Sequence, residues 1–163
     1  MLFLVTASRL FTVLYLCVSM LTASGSPLPT SGELDIRLGL DILENEVVIH
    51  AVLAIGVTRV HASWTDKSHT QLRPKEIQDV IRSYDWTPLG KAKFKSSADH
   101  EQALQALLSI ELPPYKETGG DCWDYVEAAL ETLEKRDELL DSASILKGFR
   151  IRRKSFVATN KRR

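Results

Sequence analysis

Hydrophobic and polar residues alternate strictly early in the chain. The apolar positions of this alternation are Leu34, Ile36, Leu38, Leu40 and Ile42. A period of two predicts a strand with one face buried. Residues 47–55 are then apolar at nearly every position, which is typical of a central strand covered on both faces. Because Gly56 interrupts this run, we expect an antiparallel meander of three strands, at 34–43, 47–56 and 58–64.

Further along the chain, apolar residues recur every three or four positions, which is the period of a helix. One such stripe comprises Ile77, Val80, Ile81 and Tyr84, preceded by Pro74, and a second comprises Leu104, Leu107 and Leu108, preceded by Ser97. Proline and serine suit the starts of these two helices. We expect a short strand at 91–95, after a break at 86–90, and either an edge strand or a disordered tail at 145–157.

A third helix is predicted to begin at Cys122 and to run to Leu140. Two glycines allow a tight turn before it, and Asp121 can cap its first N–H groups, with Asp124 at the capping-box position. Its apolar stripe is formed by Trp123, Val126, Leu130, Leu133 and Leu140. The fold class predicted from all these patterns is α+β, with a small antiparallel sheet packed against two or three helices.

Cys122 is a candidate nucleophile because of its place at this helix start. The free N–H groups and the positive end of the helix dipole favour an anion there, and both lower the pKa of a thiol. The chain has a second cysteine, Cys17, which lies in the N-terminal segment. If that segment is removed, no intrachain disulfide can form. Cys122 is then a buried packing residue, an intermolecular bridge or a working thiol.

Residues 1–25 have the features of a secretory signal peptide. Arg9 gives a positively charged start, residues 10–21 form a short apolar core, and small residues follow it. The core is shorter than the roughly 20 residues that span a bilayer. We therefore expect cleavage near Ser26 and a small, monomeric, extracellular protein, with an uncleaved membrane anchor as the alternative. No later segment of the mature chain is apolar enough to predict a transmembrane span.

Charge divides the mature chain into two parts. Residues 26–146 contain 12 Lys and Arg against 21 Asp and Glu, a net charge of −9, whereas the last 17 residues carry eight basic residues and no acid. We expect a single domain at 26–146 and a basic C-terminal tail at 147–163. This tail could fold back on the acidic domain, contact an anionic surface such as lipid, or be removed by a processing protease. Nucleic acid is not an expected partner.

The sequence predicts neither a metal site nor a nucleotide cofactor. One cysteine and scattered histidines do not give the closed ligand set of a zinc site. The glycines before Cys122 lack the lysine and the further glycines of a phosphate-binding loop. His100 is expected in the first turn of a helix, and His69 near a loop. His50 lies in an apolar strand, where a packed core histidine is the simplest interpretation.

Two short segments and their order in the chain resemble one enzyme family. The segment from His50 to Gly56, HAVLAIG, is similar to a strand of circularly permuted papain-like enzymes, the NlpC-type and lecithin:retinol acyltransferase-like branch, in which a histidine opens an apolar strand that ends in glycine. The segment from Asp121 to Val126, DCWDYV, is similar to the nucleophile motif of that branch. His61 matches the later position at which the family often places a polar residue.

The resemblance implies a catalytic role for three residues. Cys122 would be the nucleophile, His50 the base and His61 the residue that orients the base, in a papain-like permuted topology. A thiol requires such a base, and the base requires a third group to hold its tautomer. Two positions differ from the family pattern: Ala51 replaces an aromatic residue common in the family, and the acid Asp121 precedes the thiol.

Two functions follow as expectations from the sequence. The first is a secreted thiol hydrolase or acyltransferase that acts on an amide or ester, in a protein, peptide or acyl substrate, through a cysteine thioester. The second is a non-catalytic secreted interaction protein, such as an effector, or a precursor processed at its dibasic pairs. These pairs are Lys135–Arg136, Arg152–Arg153 and Arg162–Arg163.

Overall fold

The computed structural model describes residues 32–42, 48–64, 72–76, 84–113 and 121–160. All of them belong to one compact unit, Ser31–Arg163. The predicted signal peptide, the apolar stripe at residues 77–83, and His69 lie outside the described residues.

Six antiparallel strands form one sheet in the order β4-β3-β2-β1-β5-β6. Their bounds are β1 (Gly32–Ile42), β2 (Val48–Ile55), β3 (Thr58–Trp64), β4 (Leu72–Glu76), β5 (Asp85–Phe94) and β6 (Leu139–Leu140). Strands β1 to β4 are a meander, and β5 pairs with the free side of β1. The meander predicted from the period-two pattern is therefore confirmed, and so is the α+β class.

Three helices accompany this sheet in the described part of the chain, namely α1 (Ser97–Leu108), α2 (Cys122–Lys135) and α3 (Ser142–Asn160). The N-cap of α1 is Ser96, whose hydroxyl accepts the N–H of Asp99 at 3.1 Å, so the helix starts one residue after the cap. Helix α2 begins at Cys122 as predicted, but it ends at Lys135 rather than Leu140. It stops because the chain turns through Asp137, at a φ of 57°, into the strand β6.

The main core lies between one face of the sheet and the helices. Alternation along β1 and β2 sends Ile36, Leu38 and Leu53 to this face, and each of them is fully buried. From α2, the predicted stripe residues Trp123, Val126, Leu130 and Leu133 are buried against them. The apolar patterns of sheet and helix thus meet as the sequence indicated, and they fix α2 over the meander.

The C-terminal part of the chain is a helix, which corrects the expectation of an edge strand or a tail at 145–157. Its apolar residues Ile145, Leu146 and Phe149 fall on one helical face and are buried. Asp141 accepts the N–H of Ser144 at 3.4 Å, in the manner of an N-cap. Residues 147–160 therefore extend a packed helix rather than forming a separate tail.

Prolines were the other source of error in the sequence interpretation. Pro74 lies in the edge strand β4, opposite Ala62, rather than at a helix start, which fits a residue that cannot donate to an inner ladder. Pro88 lies within β5, where the register between β1 and β5 shifts by one residue. Such a bulge tolerates proline, so residues 86–90 continue a strand instead of breaking the chain.

Candidate functional site

The start of α2 has the capping geometry that the sequence predicted. One carboxylate oxygen of Asp121 accepts the N–H groups of Trp123 and Asp124, both at 2.9 Å. In return, Asp124 accepts the N–H of Asp121 at 3.1 Å. This reciprocal capping box fixes the first turn of the helix. It therefore also fixes the backbone that carries Cys122.

The thiol of Cys122 accepts a backbone hydrogen bond from β2 at a point where β2 and β3 are no longer paired. The backbone N–H of Ala51 donates to its sulfur at 3.3 Å. The ladder between β2 and β3 runs from Ile55 and Thr58 to Leu53 and Val60, and it ends there although both strands continue. We call the space between the two strands beyond this last pair the strand gap. The thiol lies at the β2 side of the strand gap.

Two imidazoles meet across the same strand gap. Nε2 of His50 on β2 and Nδ1 of His61 on β3 are hydrogen-bonded. The ring centroids are 4.6 Å apart, and the rings stand at 75° to each other. In such a bond one nitrogen carries the proton and the other accepts it. If His50 donates from Nε2, its Nδ1 is the basic nitrogen, which is the tautomer that a general base for a thiol requires.

The hydrogen bond from Ala51 places the sulfur of Cys122 near the backbone of His50. Two covalent bonds, of about 1.3 and 1.5 Å, join the Ala51 nitrogen to Cα of His50. Since the sulfur is 3.3 Å from that nitrogen, it lies no more than roughly 6 Å from Cα of His50. Alternation along β2 places the Ala51 side chain on the helix side of the sheet and that of His50 on the other. The thiol therefore approaches from the helix side, in the plane of the strand N–H groups.

Burial, rather than the helix dipole, dominates the acidity of the thiol. The pKa of Cys122 is raised from 9.0 to about 11, chiefly by burial. The hydrogen bond from the Ala51 N–H lowers this pKa, and the negative charge of Asp121 raises it further. The N–H groups of Cys122 and Trp123 also lower it, by smaller amounts. The expectation of a lowered pKa is thus wrong for the resting protein, whose thiol is protonated at neutral pH.

A cluster of ion pairs joins α3 to the start of α2. The guanidinium of Arg153 is hydrogen-bonded to Asp124, contacts Glu127 at 2.6 Å and lies 3.9 Å from Asp121. One turn earlier on α3, Arg150 binds Glu127 at 2.7 Å and Glu131 at 2.8 Å. The sequence pattern did not predict this cluster because α3 was not recognised as a helix. A signal was present: the acids of α2 and the arginines of α3 both recur at helical spacing.

These pairs change the interpretation of the basic C-terminal residues. Arg150 and Arg153 are bound by acids of the same domain, as the fold-back alternative proposed. Arg152 donates to the hydroxyl of Thr87 at 3.3 Å. Lys147 and Lys154 are exposed on α3 and remain possible contacts for an anionic surface, which stays a prediction.

The other candidate features lie away from the strand gap or outside the described residues. His100 is in the first turn of α1, as expected, where its ring is buried 4.8 Å from that of Phe94 and burial lowers its pKa. Within the described residues, no group of His, Cys, Asp and Glu is arranged to hold a metal ion. None of the described helices is both long and apolar enough to cross a membrane.

The comparisons with known proteins leave the family open. No protein-family model, no curated protein and no solved structure matches the chain. A functional interpretation therefore depends on the residues and the geometry described above.

Proposed function

We propose that this protein is a papain-like thiol hydrolase or acyltransferase, with Cys122 as nucleophile, His50 as base and His61 as the residue that orients the base. The observation that carries the proposal is the hydrogen bond between His50 and His61 across the strand gap that also contains the thiol. The proposal is also supported by position, since these three residues are distant in sequence but lie at or beside the strand gap, in the chain order that the family resemblance implies.

The geometry supports a reaction that starts from a neutral pair. Because the resting thiol is protonated, Nδ1 of His50 takes its proton as the sulfur attacks the substrate carbonyl carbon. A C–S bond forms, and the carbonyl electron pair moves onto oxygen near the backbone N–H of Cys122, since the capping box already uses the N–H groups of Trp123 and Asp124. When the tetrahedral intermediate collapses, the amine or alcohol leaves and takes the proton from His50. Water, or a second nucleophile, then attacks the thioester and releases Cys122 as a thiol.

His61 acts on the tautomer of the base. A proton on Nε2 of His50, donated to Nδ1 of His61, leaves Nδ1 of His50 without a proton. The charge that His50 acquires during the reaction is stabilised by the same hydrogen bond. Both residues are partly buried, which strengthens this interaction relative to bulk water.

A specific observation also favours the non-catalytic alternative. Cys122 is partly buried, and its sulfur already accepts a backbone N–H, as expected of a packing cysteine in an interaction module. Processing at the pair Arg152–Arg153 is less well supported. Arg153 lies inside α3 and is ion-paired, whereas proteases cut exposed and extended chain. Secretion, with a mature N-terminus near Ser26, remains part of the proposal, and N-terminal sequencing of protein recovered from medium tests it.

The proposal is tested by acyl transfer from p-nitrophenyl butyrate to the purified protein. We expect a burst of p-nitrophenol and a butyryl adduct that peptide mass spectrometry locates on Cys122. Cys122→Ala should abolish the adduct, and His50→Gln should slow its formation roughly 100-fold or more, the usual contribution of a general base. His61→Gln should have a smaller effect because glutamine can still accept a hydrogen bond from His50.

His100→Gln is the matched control. It removes the imidazole of α1 that packs against Phe94, rather than an imidazole at the strand gap. It should leave the burst unchanged. Adduct formation at an equal rate in wild type and His50→Gln would overturn the enzyme proposal. The protein would then be an interaction module whose cysteine packs against β2.

A further inference from the structure

Arg153 connects the last helix to the residues that orient the candidate nucleophile. Its guanidinium is hydrogen-bonded to Asp124 and lies 3.9 Å from the oxygen of Asp121 that caps α2. Only a quarter of the side-chain surface is exposed, for Arg153 and for Asp124 alike. Both carboxylates of the capping box therefore share one largely buried cation.

We propose that Arg153 is a positioning residue for Cys122. Arg153 offsets the negative charge beside the thiol and holds the capping box that orients the thiol. The consequence for catalysis rests on the function proposed above, but the effect on the thiol can be measured without it. The acid before the cysteine, a departure from the family pattern, is compensated by a cation from a distant part of the chain.

The charges around Cys122 show why such a cation is needed. His50 and His61 lie on the strands β2 and β3, Asp121 and Asp124 lie at the start of the helix that carries Cys122, and Arg153 comes from α3. Without Arg153, two carboxylates at the helix start would oppose formation of a thiolate. Burial works against the charge of Arg153, but the bonds to Asp124 and Glu127 outweigh it and raise its pKa, so the guanidinium stays charged.

Arg150 provides a matched comparison on the same helix. It binds Glu127 and Glu131, further from the start of α2, and contacts neither Asp121 nor Asp124 among the described ion pairs. Arg150→Gln therefore removes an arginine of the same ion-pair cluster but leaves the capping box paired with Arg153. Any effect specific to the thiol should be confined to the Arg153 variants.

The experiment measures the rate at which iodoacetamide alkylates Cys122 in the full chain, from neutral to alkaline pH. Arg153→Gln should raise the apparent pKa of the reaction by about half a unit to one unit and slow alkylation near neutral pH roughly three- to tenfold. Arg153→Lys, which keeps the charge, should recover part of the wild-type rate. Arg150→Gln should stay within about twofold of wild type.

A second pair of variants isolates the role of Asp121. Asn caps a helix as well as Asp does, so Asp121→Asn removes the charge and retains the cap. In this background, Arg153→Gln should lose most of its effect on the pH profile. An equal effect in both backgrounds would overturn the proposal, and so would faster alkylation in Arg153→Gln, which would indicate an exposed thiol. Failure of the proposed function gives a different result. The wild-type protein would then form no butyryl adduct, while Arg153→Gln would still raise the apparent pKa of alkylation.

Discussion

The ring of Phe156 on α3 stacks on the indole of Trp123 on α2, with centroids 5.0 Å apart and planes 24° from parallel. Trp123 follows the candidate nucleophile directly and is buried, and the ring of Phe149 also lies 5.9 Å from its ring. The C-terminal helix therefore meets the start of α2 through an aromatic contact as well as through ion pairs.

This stack should contribute measurably to stability. Phe156→Ala removes the stacked ring and should lower the free energy of unfolding by about 1–3 kcal/mol. Ile151→Ala is the control on the same helix, because Ile151 is 55% exposed; it should cost less than about 0.5 kcal/mol. Urea unfolding followed by circular dichroism gives both values. Equal losses for the two variants would show that the stack does not hold α3 in place.

Two glycines should respond in opposite ways to alanine. A Cβ atom on Gly39 would lie 2.6 Å from the ring of Trp86, so Gly39→Ala should destabilise the sheet by about 1–3 kcal/mol. A Cβ atom on Gly148, within α3, would meet no atom within 4 Å. Gly148→Ala should therefore stabilise the protein by roughly 0.5–1 kcal/mol, since alanine favours helix. Thermal melts would contradict this account if both changes moved stability in the same direction.

The raised pKa of Cys122 predicts a loss of stability in alkaline solution. In the unfolded chain the thiol ionises near 9.0, whereas in the folded chain it ionises near 11. The unfolded state therefore releases its proton first, and stability falls as pH rises from about 9 to 11, by roughly 2–3 kcal/mol from this group.

The control for that prediction is Cys122→Ser, whose hydroxyl does not ionise in this range but can still accept the N–H of Ala51. Burial raises the pKa of Tyr125 as well, and this contribution is common to both proteins. The difference in unfolding free energy between wild type and the variant should thus narrow or change sign across this pH range. A difference that stays constant would show that the folded thiol ionises at an ordinary pH.

The sequence was most informative where local patterns agree with tertiary contacts. The alternation around Ile36 and Leu38 predicted β1 because one face of this strand is buried, and the continuous apolar run predicted β2, which is buried at every position from Ala51 to Ile55. The start of α2 could be assigned to a single residue because Asp121 and Asp124 form the capping box that their spacing indicates. His50 and His61, which the family resemblance assigned to one site, are hydrogen-bonded to each other, and their catalytic roles stay a prediction.

What the sequence could not provide depends on contacts between distant segments. An edge strand or a disordered tail was expected in place of α3 because Phe149 and Ile151 lie amid basic residues; the burial of Phe149 against other elements has no local signature. The pKa of Cys122 was misjudged because a helix N-terminus is visible in the sequence and burial under neighbouring elements is not. The pairing of Arg153 with Asp121 and Asp124 crosses about 30 residues of chain and has no local signature.

The hydrogen bond from Ala51 to the sulfur of Cys122 makes one backbone amide a reporter of the thiol's chemical state. The ladder of β2 and β3 has ended at this point, so the sulfur is the acceptor of the Ala51 N–H. Acylation or alkylation makes the sulfur a weaker acceptor or rotates the side chain away from Ala51. The Ala51 N–H then loses its hydrogen bond and exchanges with solvent. Deuterium uptake at the Ala51 amide would therefore report covalent modification of the Cys122 thiol, for any substrate and without a coloured product.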